Sequence, residues 1–206
     1  MSGADAPAAG PPDFYLIRHG ETDWNREGRL QGQRDIPLNA LGRDQAAGAG
    51  RILRDVLATR GCDPSRLRFT ASPLGRARDT MERVRAALGL PLAGYDTDER
   101  LREIVFGDWE GRSWGELKAE ARPLVKARKL DTWNFVPPGG ESYAGLARRL
   151  RPWVATVAAA DIVVAHGGVA RVLLHLLAGA ATADAPGIEI TQGRVIWFRK
   201  GRAEWF

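Results

Sequence analysis

Two short apolar runs, each ending in a histidine and then glycine, constrain the fold of this chain more than anything else in it. Residues 14–17 run into Arg18-His19-Gly20, and residues 162–165 run into His166-Gly167-Gly168. An apolar run that stops at a reactive side chain is a buried strand delivering that side chain to the carboxyl edge of a sheet. That edge is where α/β proteins place their ligands. The chain has three histidines, and two of them sit in this setting.

Between and beyond the runs, strands alternate with helices. Residues 14–18 form the first strand, and a loop rich in Gly, Asn and Gln follows over residues 20–37. Asn39 caps a helix with Leu41, Ala46, Ile52, Leu53 and Val56 on one side, stopping near Gly61. A second strand over 67–71 leads into Ser72-Pro73, which opens a helix ending before Gly89. Residues 92–95 read as an edge strand, while 101–109 are turn-rich and unassigned. Ser113 and Glu116 have capping-box spacing, and a helix runs from Ser142 toward Ala159 after the Pro137-Pro138-Gly139-Gly140 loop. The third strand, 162–165, passes directly into a helix over 169–177. Strands at 188–191 and 195–199, turned by Gln192-Gly193, close the chain as a hairpin. The expectation is an α/β fold, with helices on both faces of a mostly parallel sheet. No repeat of fixed period and no linker divides it, so residues 13–206 read as one domain.

Composition narrows the function. At 206 residues, 44% hydrophobic and 27% charged, the chain suits one soluble globular domain. Residues 1–12 are Ala/Gly/Pro-rich, with neither the basic nor the apolar region of a secretory signal, and read as a disordered tail. No apolar stretch has the length of a membrane span. One cysteine, Cys62, allows no internal disulfide, and the cytoplasm is the expected compartment. The net charge of +5 is mostly dispersed arginine, without a basic block or basic-aromatic alternation. A solvated arginine surface fits that better than nucleic-acid binding, and arginines gathered round an anionic pocket are equally compatible.

A neutral imidazole is a fair nucleophile near pH 7 and needs no separate base. Attack on a phosphoryl group places charge on its equatorial oxygens, which fixed cations and N–H donors must meet. Arg18 adjoins His19, Asn25 lies on the next loop, and Arg76 falls just after the second strand at the same sheet edge. A guanidinium fork suits phosphate oxygens. His166 stands before a glycine-rich helix start, which adds backbone amides. Glu103 is the candidate proton donor for the leaving alkoxide, because a carboxyl beside a phosphate can hold its proton to higher pH. Glu21 is the alternative acid. His175, inside an apolar helix, reads as structural, and Arg78 as a surface residue. Cys62 lacks a partner for nucleophilic work. Most of the tryptophans read as packing, with Trp24, Trp109 and the cation Arg171 left open.

Five blocks in order carry a further signal. They are Leu16-Ile17-Arg18-His19-Gly20-Glu21-Thr22 with Asn25; Gly28-Arg29 with Gln31-Gly32, Asp35 and Pro37-Leu38; Ser72-Pro73-Leu74 with Arg76-Ala77; Arg100-Leu101 with Glu103; and His166-Gly167-Gly168. Together they resemble the histidine phosphatase superfamily, in its phosphoglycerate mutase-like branch, over residues 14 to about 179. The resemblance implies a three-layer α/β/α sandwich and a metabolite phosphatase with no metal and no cofactor. It implies His19 as phosphoryl acceptor and Glu103 as proton donor. Arg18, Asn25, Arg76 and His166 would form the phosphate pocket, bordered by Gln31, Gly32 and the Gly167 N–H. The mutases of the family carry Glu-Arg-His-Tyr-Gly where this chain has Glu103-Ile104-Val105-Phe106-Gly107. They also carry Thr-Gly at Gln31-Gly32. The run Phe106-Gly107-Asp108-Trp109-Glu110-Gly111 looks instead like the family's broad phosphatases. Hydrolysis of a small phosphorylated metabolite is therefore the expectation. Mutase-type transfer and a non-catalytic phosphate-binding protein of the same fold are the alternatives.

Overall fold

The computed structural model describes residues 13–157 and 161–206. The expected N-terminal tail, and the expected end of a helix at Ala159, lie outside them. In chain order the elements are β1 (Phe14–Arg18), α1 (Asp23–Arg26), α2 (Ala40–Thr59), β2 (Phe69–Ala71), α3 (Gly75–Ala87) and β3 (Asp96–Thr97). There follow α4 (Trp114–Glu120), α5 (Arg122–Leu130), α6 (Tyr143–Val154), β4 (Asp161–Ala165), α7 (Gly167–Ala178), β5 (Val195–Arg199) and β6 (Arg202–Trp205). The six strands form one sheet in the order β3-β2-β4-β1-β5-β6. β1, β2, β3 and β4 run parallel, and β5 and β6 are antiparallel additions on the far edge.

Side chains of a strand alternate between the two faces, so a continuous apolar run is the signature of a sheet covered on both. Phe14, Leu16, Val163, Ala165, Ile196 and Phe198 meet α6 and α7 on one face. Tyr15, Ile17, Ile162, Val164, Val195 and Trp197 meet α2 and α3 on the other. The result is the expected three-layer α/β/α sandwich. Each fully buried side chain of this size contributes about 1.5–3 kcal/mol through removal from water. A third, small cluster of Trp109, Leu117 and Val125 ties α4 and α5 together beside Phe106 and Phe135. Among the described residues no helix is long and apolar enough to cross a membrane.

Several boundaries differ from the sequence expectation, each for a local reason. The loop after β1 contains α1, a single turn closed by a Thr22–Asn25 capping box. Leu41, expected on the apolar side of α2, is 53% exposed. β2 starts at Phe69, after a 3₁₀ turn over Pro64–Arg66. The edge strand is Asp96–Thr97 rather than 92–95. Gly94 is left-handed there, and the Arg85 guanidinium occupies the carbonyls of Pro91 and Ala93. α3 begins at Gly75, after Leu74, which is still extended. Residues 188–191 form no strand: Arg171 takes the carbonyl of Ile188 and Arg18 that of Ile190. The terminal hairpin is instead β5–β6, turned by Lys200-Gly201, both left-handed as a two-residue primed turn requires. α5 was not expected at all, and α7 begins two residues before the expected 169.

Candidate active site

β1 and β4 are parallel neighbours, with Arg18 beside Ala165. The residues that follow them therefore emerge side by side at one sheet edge. The His19 N–H donates to Ala165 O at 3.0 Å, and the His19 and His166 rings stand 5.1 Å apart at 60°. Both imidazoles are buried. His19 Nδ1 lies 2.7 Å from Gly20 O, a pure acceptor, which assigns the proton to Nδ1 and the lone pair to Nε2. Arg76 Nε donates toward that Nε2 at 3.3 Å. Burial first, then the Arg76 and Arg18 charges, push the His19 pKa well below its ordinary value. His19 is thus a neutral imidazole with its nucleophilic nitrogen turned to a guanidinium.

His166 is prepared in the complementary sense. Its Nε2 lies 2.7 Å from Ser72 Oγ, while Nδ1 is buried without a partner. Ser72 Oγ accepts the Leu74 N–H at 3.4 Å, so its own proton is available to His166 Nε2. Nδ1 then carries the ring proton, as a donor with nothing to donate to. Burial, followed by the charge of Arg76, holds His166 neutral as well.

The arginines are fixed by backbone carbonyls. Arg76, fully buried, donates to Arg34 O at 2.6 Å and Gly32 O at 2.8 Å. Asp35 holds the start of α3 through the Gly75 N–H at 2.7 Å and reaches Arg76 Nη1 at 3.7 Å. Gly32 must be glycine: its φ is +52°, and a Cβ would sit 2.0 Å from Glu110 Oε1. Arg18 donates to Ile190 O through Nη1 at 2.6 Å, but its buried Nε has no partner. Burial lowers its pKa to about 10.

Glu103 lies at the start of α7. Its carboxylate accepts the Gly168 N–H at 3.0 and 3.1 Å on its two oxygens, and the Ile104 N–H at 2.9 Å. A Cβ on Gly168 would fall 2.4 Å from Glu103 Oε1, so glycine there lets the carboxylate reach the helix. From behind, Arg149 and Gln33 donate to the Glu103 carbonyl. Asn25 Oδ1 is engaged by the Thr22 N–H and by Gln192 Nε2, which leaves the Asn25 amide donors for a ligand. Gln31 keeps a buried, unpartnered Oε1.

A pocket of about 260 Å³ is lined by Arg18, His19, Asn25, Gln31, Gly32, Arg76, Glu103 and Gly167. These are eight of the nine sequence-derived candidates; the ninth, His166, is buried beside His19 and is not part of the wall. The same wall carries Arg29 from the loop after α1, and Trp114, Arg128, Tyr143 and Arg171 from α4, α5, α6 and α7; of these last four only Arg171 had been singled out. Glu21, the alternative acid, is not on the wall; it accepts from Asn39 Nδ2 at 2.8 Å. His175 bonds Ala180 O and meets the Trp133 ring edge-on, a packing role. Trp109 stacks on Phe135, and Trp24 covers Gly111.

Comparison with known proteins agrees with this architecture. The family model of the histidine phosphatase superfamily (branch 1) matches residues 14–206. The chain is 35% identical over 189 residues to glucosyl-3-phosphoglycerate phosphatase of Mycobacterium tuberculosis, covering 85% of this chain and 79% of that protein. It is 32% identical to a 2,3-bisphosphoglycerate-dependent phosphoglycerate mutase of Chelativorans, covering 90% and 91%. Among solved structures, mycobacterial glucosyl-3-phosphoglycerate phosphatase in complex with VO3 superposes with a TM-score of 0.76 at 30% identity, covering 95% of this chain and 96% of that one. The α-ribazole phosphatase of Shigella flexneri gives 0.75 at 28% identity, covering 93% of each. The chain belongs to the histidine phosphatase superfamily, branch 1.

Proposed function

We propose that the protein is a metal-independent phosphomonoesterase that hydrolyses small phosphorylated metabolites through a phosphohistidine on His19. The observation that carries this reading is the unprotonated, buried His19 Nε2 facing the cationic end of the pocket. His19 Nε2 attacks phosphorus as the ester P–O bond breaks. Glu103 gives its proton to the departing alkoxide. Arg18, Arg76, the Asn25 amide, His166 Nδ1–H and the Gly167 N–H meet the phosphoryl oxygens. In the second step Glu103, now ionised, takes a proton from water as its oxygen attacks phosphorus, and the bond to His19 breaks. Phosphate leaves with both residues restored.

Phosphoryl transfer between two substrate hydroxyls is the second reading, which the likeness to a mutase favours. Against it, Ile104 directly after Glu103 is a core residue, 3% exposed, where the mutase pattern has a substrate-binding arginine. The test measures phosphate release from p-nitrophenyl phosphate and a panel of metabolite esters, and isomerisation of 3-phosphoglycerate with a bisphosphoglycerate primer. Release should outpace isomerisation and should survive excess EDTA, because arginines rather than a metal supply the positive charge. Efficient isomerisation, or activity that chelation abolishes and one divalent ion restores, would overturn the reading.

A further inference from the structure

Arg149, on α6 and away from the pocket wall, spends its whole guanidinium fork inside the protein. Its Nη1 donates to Arg100 O at 2.6 Å and Arg102 O at 3.0 Å, and its Nη2 to Glu103 O at 3.3 Å. The rest of the fork meets one carboxylate, Nη2 with Glu141 Oε2 at 2.9 Å and Nε with Glu141 Oε1 at 3.2 Å. Both side chains are largely withdrawn from water. Glu141 stands just before Ser142, the N-cap of α6, and its own N–H donates to Val105 O at 2.8 Å. Every carbonyl in this set belongs to residues 100–105, the segment that carries Glu103.

After the 3₁₀ turn at Glu99–Leu101 the segment is irregular, so no ladder satisfies its carbonyls or fixes its course. The guanidinium does both. Leu101 packs in the same cluster as Leu146 and Leu150 of α6, which anchors the near end of the segment to the helix that bears Arg149. The Glu103 side chain then runs to the Gly168 N–H at the start of α7. We propose that Arg149, held by Glu141, is a positioning residue for the proton donor: it sets the backbone from which the Glu103 carboxyl reaches the leaving oxygen. Gln33 Nε2 shares the Glu103 carbonyl at 2.6 Å, so loss of Arg149 loosens the segment without releasing it. The proposal rests on the phosphatase reading above and on Glu103 as the acid.

The test compares p-nitrophenyl phosphate with the best alkyl ester of the metabolite panel. Arg149→Lys keeps the charge but cannot present a planar fork to three carbonyls and a carboxylate. Its kcat on the alkyl ester should fall about 10–100-fold, the cost of a misplaced acid, while p-nitrophenyl phosphate loses less than about threefold. KM should change little on either ester. In a Glu103→Gln background the same substitution should cost less than about twofold more, because residues acting through one another are not additive. If Arg149→Lys fails to fold by circular dichroism, Glu141→Gln carries both readouts. It loosens the guanidinium without removing any of its N–H groups, and its expected loss on the alkyl ester is about 3–10-fold. Equal losses on the two esters, or a full further loss in the Glu103→Gln background, overturn the positioning role alone. Equal losses in Glu103→Gln itself overturn that residue as the acid, and this proposal with it. No hydrolysis of any ester overturns the phosphatase reading.

Discussion

Single atoms carry most of the chemistry proposed here. His19 Nε2 is free for the proposed attack because Gly20 O holds the proton on the other nitrogen. Gly168 and Ile104 N–H groups fix both oxygens of Glu103, the group proposed to meet the leaving oxygen. Protonation of the leaving group matters in proportion to the pKa of the alcohol. Glu103→Gln should therefore cost about 10²–10⁴-fold with an alkyl phosphate and clearly less with p-nitrophenyl phosphate, whose phenolate leaves unaided. Steady-state rates on both esters check this, and equal losses would make Glu103 a phosphate-positioning group. Such residues were legible in the sequence because each follows a strand or turn in a recognisable block. Ser72 was visible only as part of a block: its bond to His166 spans 94 residues, and no local pattern announces it.

Elements bring these atoms together by close approach of backbone. α7 starts with Gly167 and Gly168, and the second of these leaves room for the Glu103 carboxylate. Gly168→Ala should push that carboxylate off the helix end, since the new Cβ meets Oε1 at 2.4 Å. The expected result is a loss of about 10²-fold or more on alkyl esters, with a smaller loss on p-nitrophenyl phosphate and a folded protein by circular dichroism. Matching losses on both esters would show that the contact does not position the acid. Strands β1 and β4 and helices α2 and α7 were readable because apolar spacing and caps agree with tertiary burial. Residues 188–191 were misread because Ile188 and Ile190 alternate like a strand, whereas their carbonyls serve two arginines. α5 escaped because its charged sequence buries only Val125, against a cluster that no local signal reveals. The distal half of the pocket, which α5 helps to build, was correspondingly hidden.

At the scale of the molecule, a sheet buried on both faces puts two imidazoles and two guanidiniums in one dry edge, and that has a cost in pH. His19 and His166 are held well below 6.5 in the fold, mainly by burial, while the unfolded chain protonates them near 6.5. Below that pH the unfolded state binds more protons, so stability falls as pH falls, by about 1.4 kcal/mol per pH unit for each histidine. Urea unfolding between pH 7.5 and 5.5 should show stability falling at a slope that steepens toward this limit in the wild type and stays shallower in His19→Gln. Identical slopes would mean that His19 is not held neutral. The most direct test of the whole account is chemical. The enzyme is mixed with a phosphate-labelled monoester, quenched rapidly in alkali, where a phosphohistidine survives, and digested for mass spectrometry. The account predicts phosphate on His19, labile to acid, with neither label nor hydrolysis in His19→Ala. Full hydrolytic activity in that variant, or label on another residue, would contradict it.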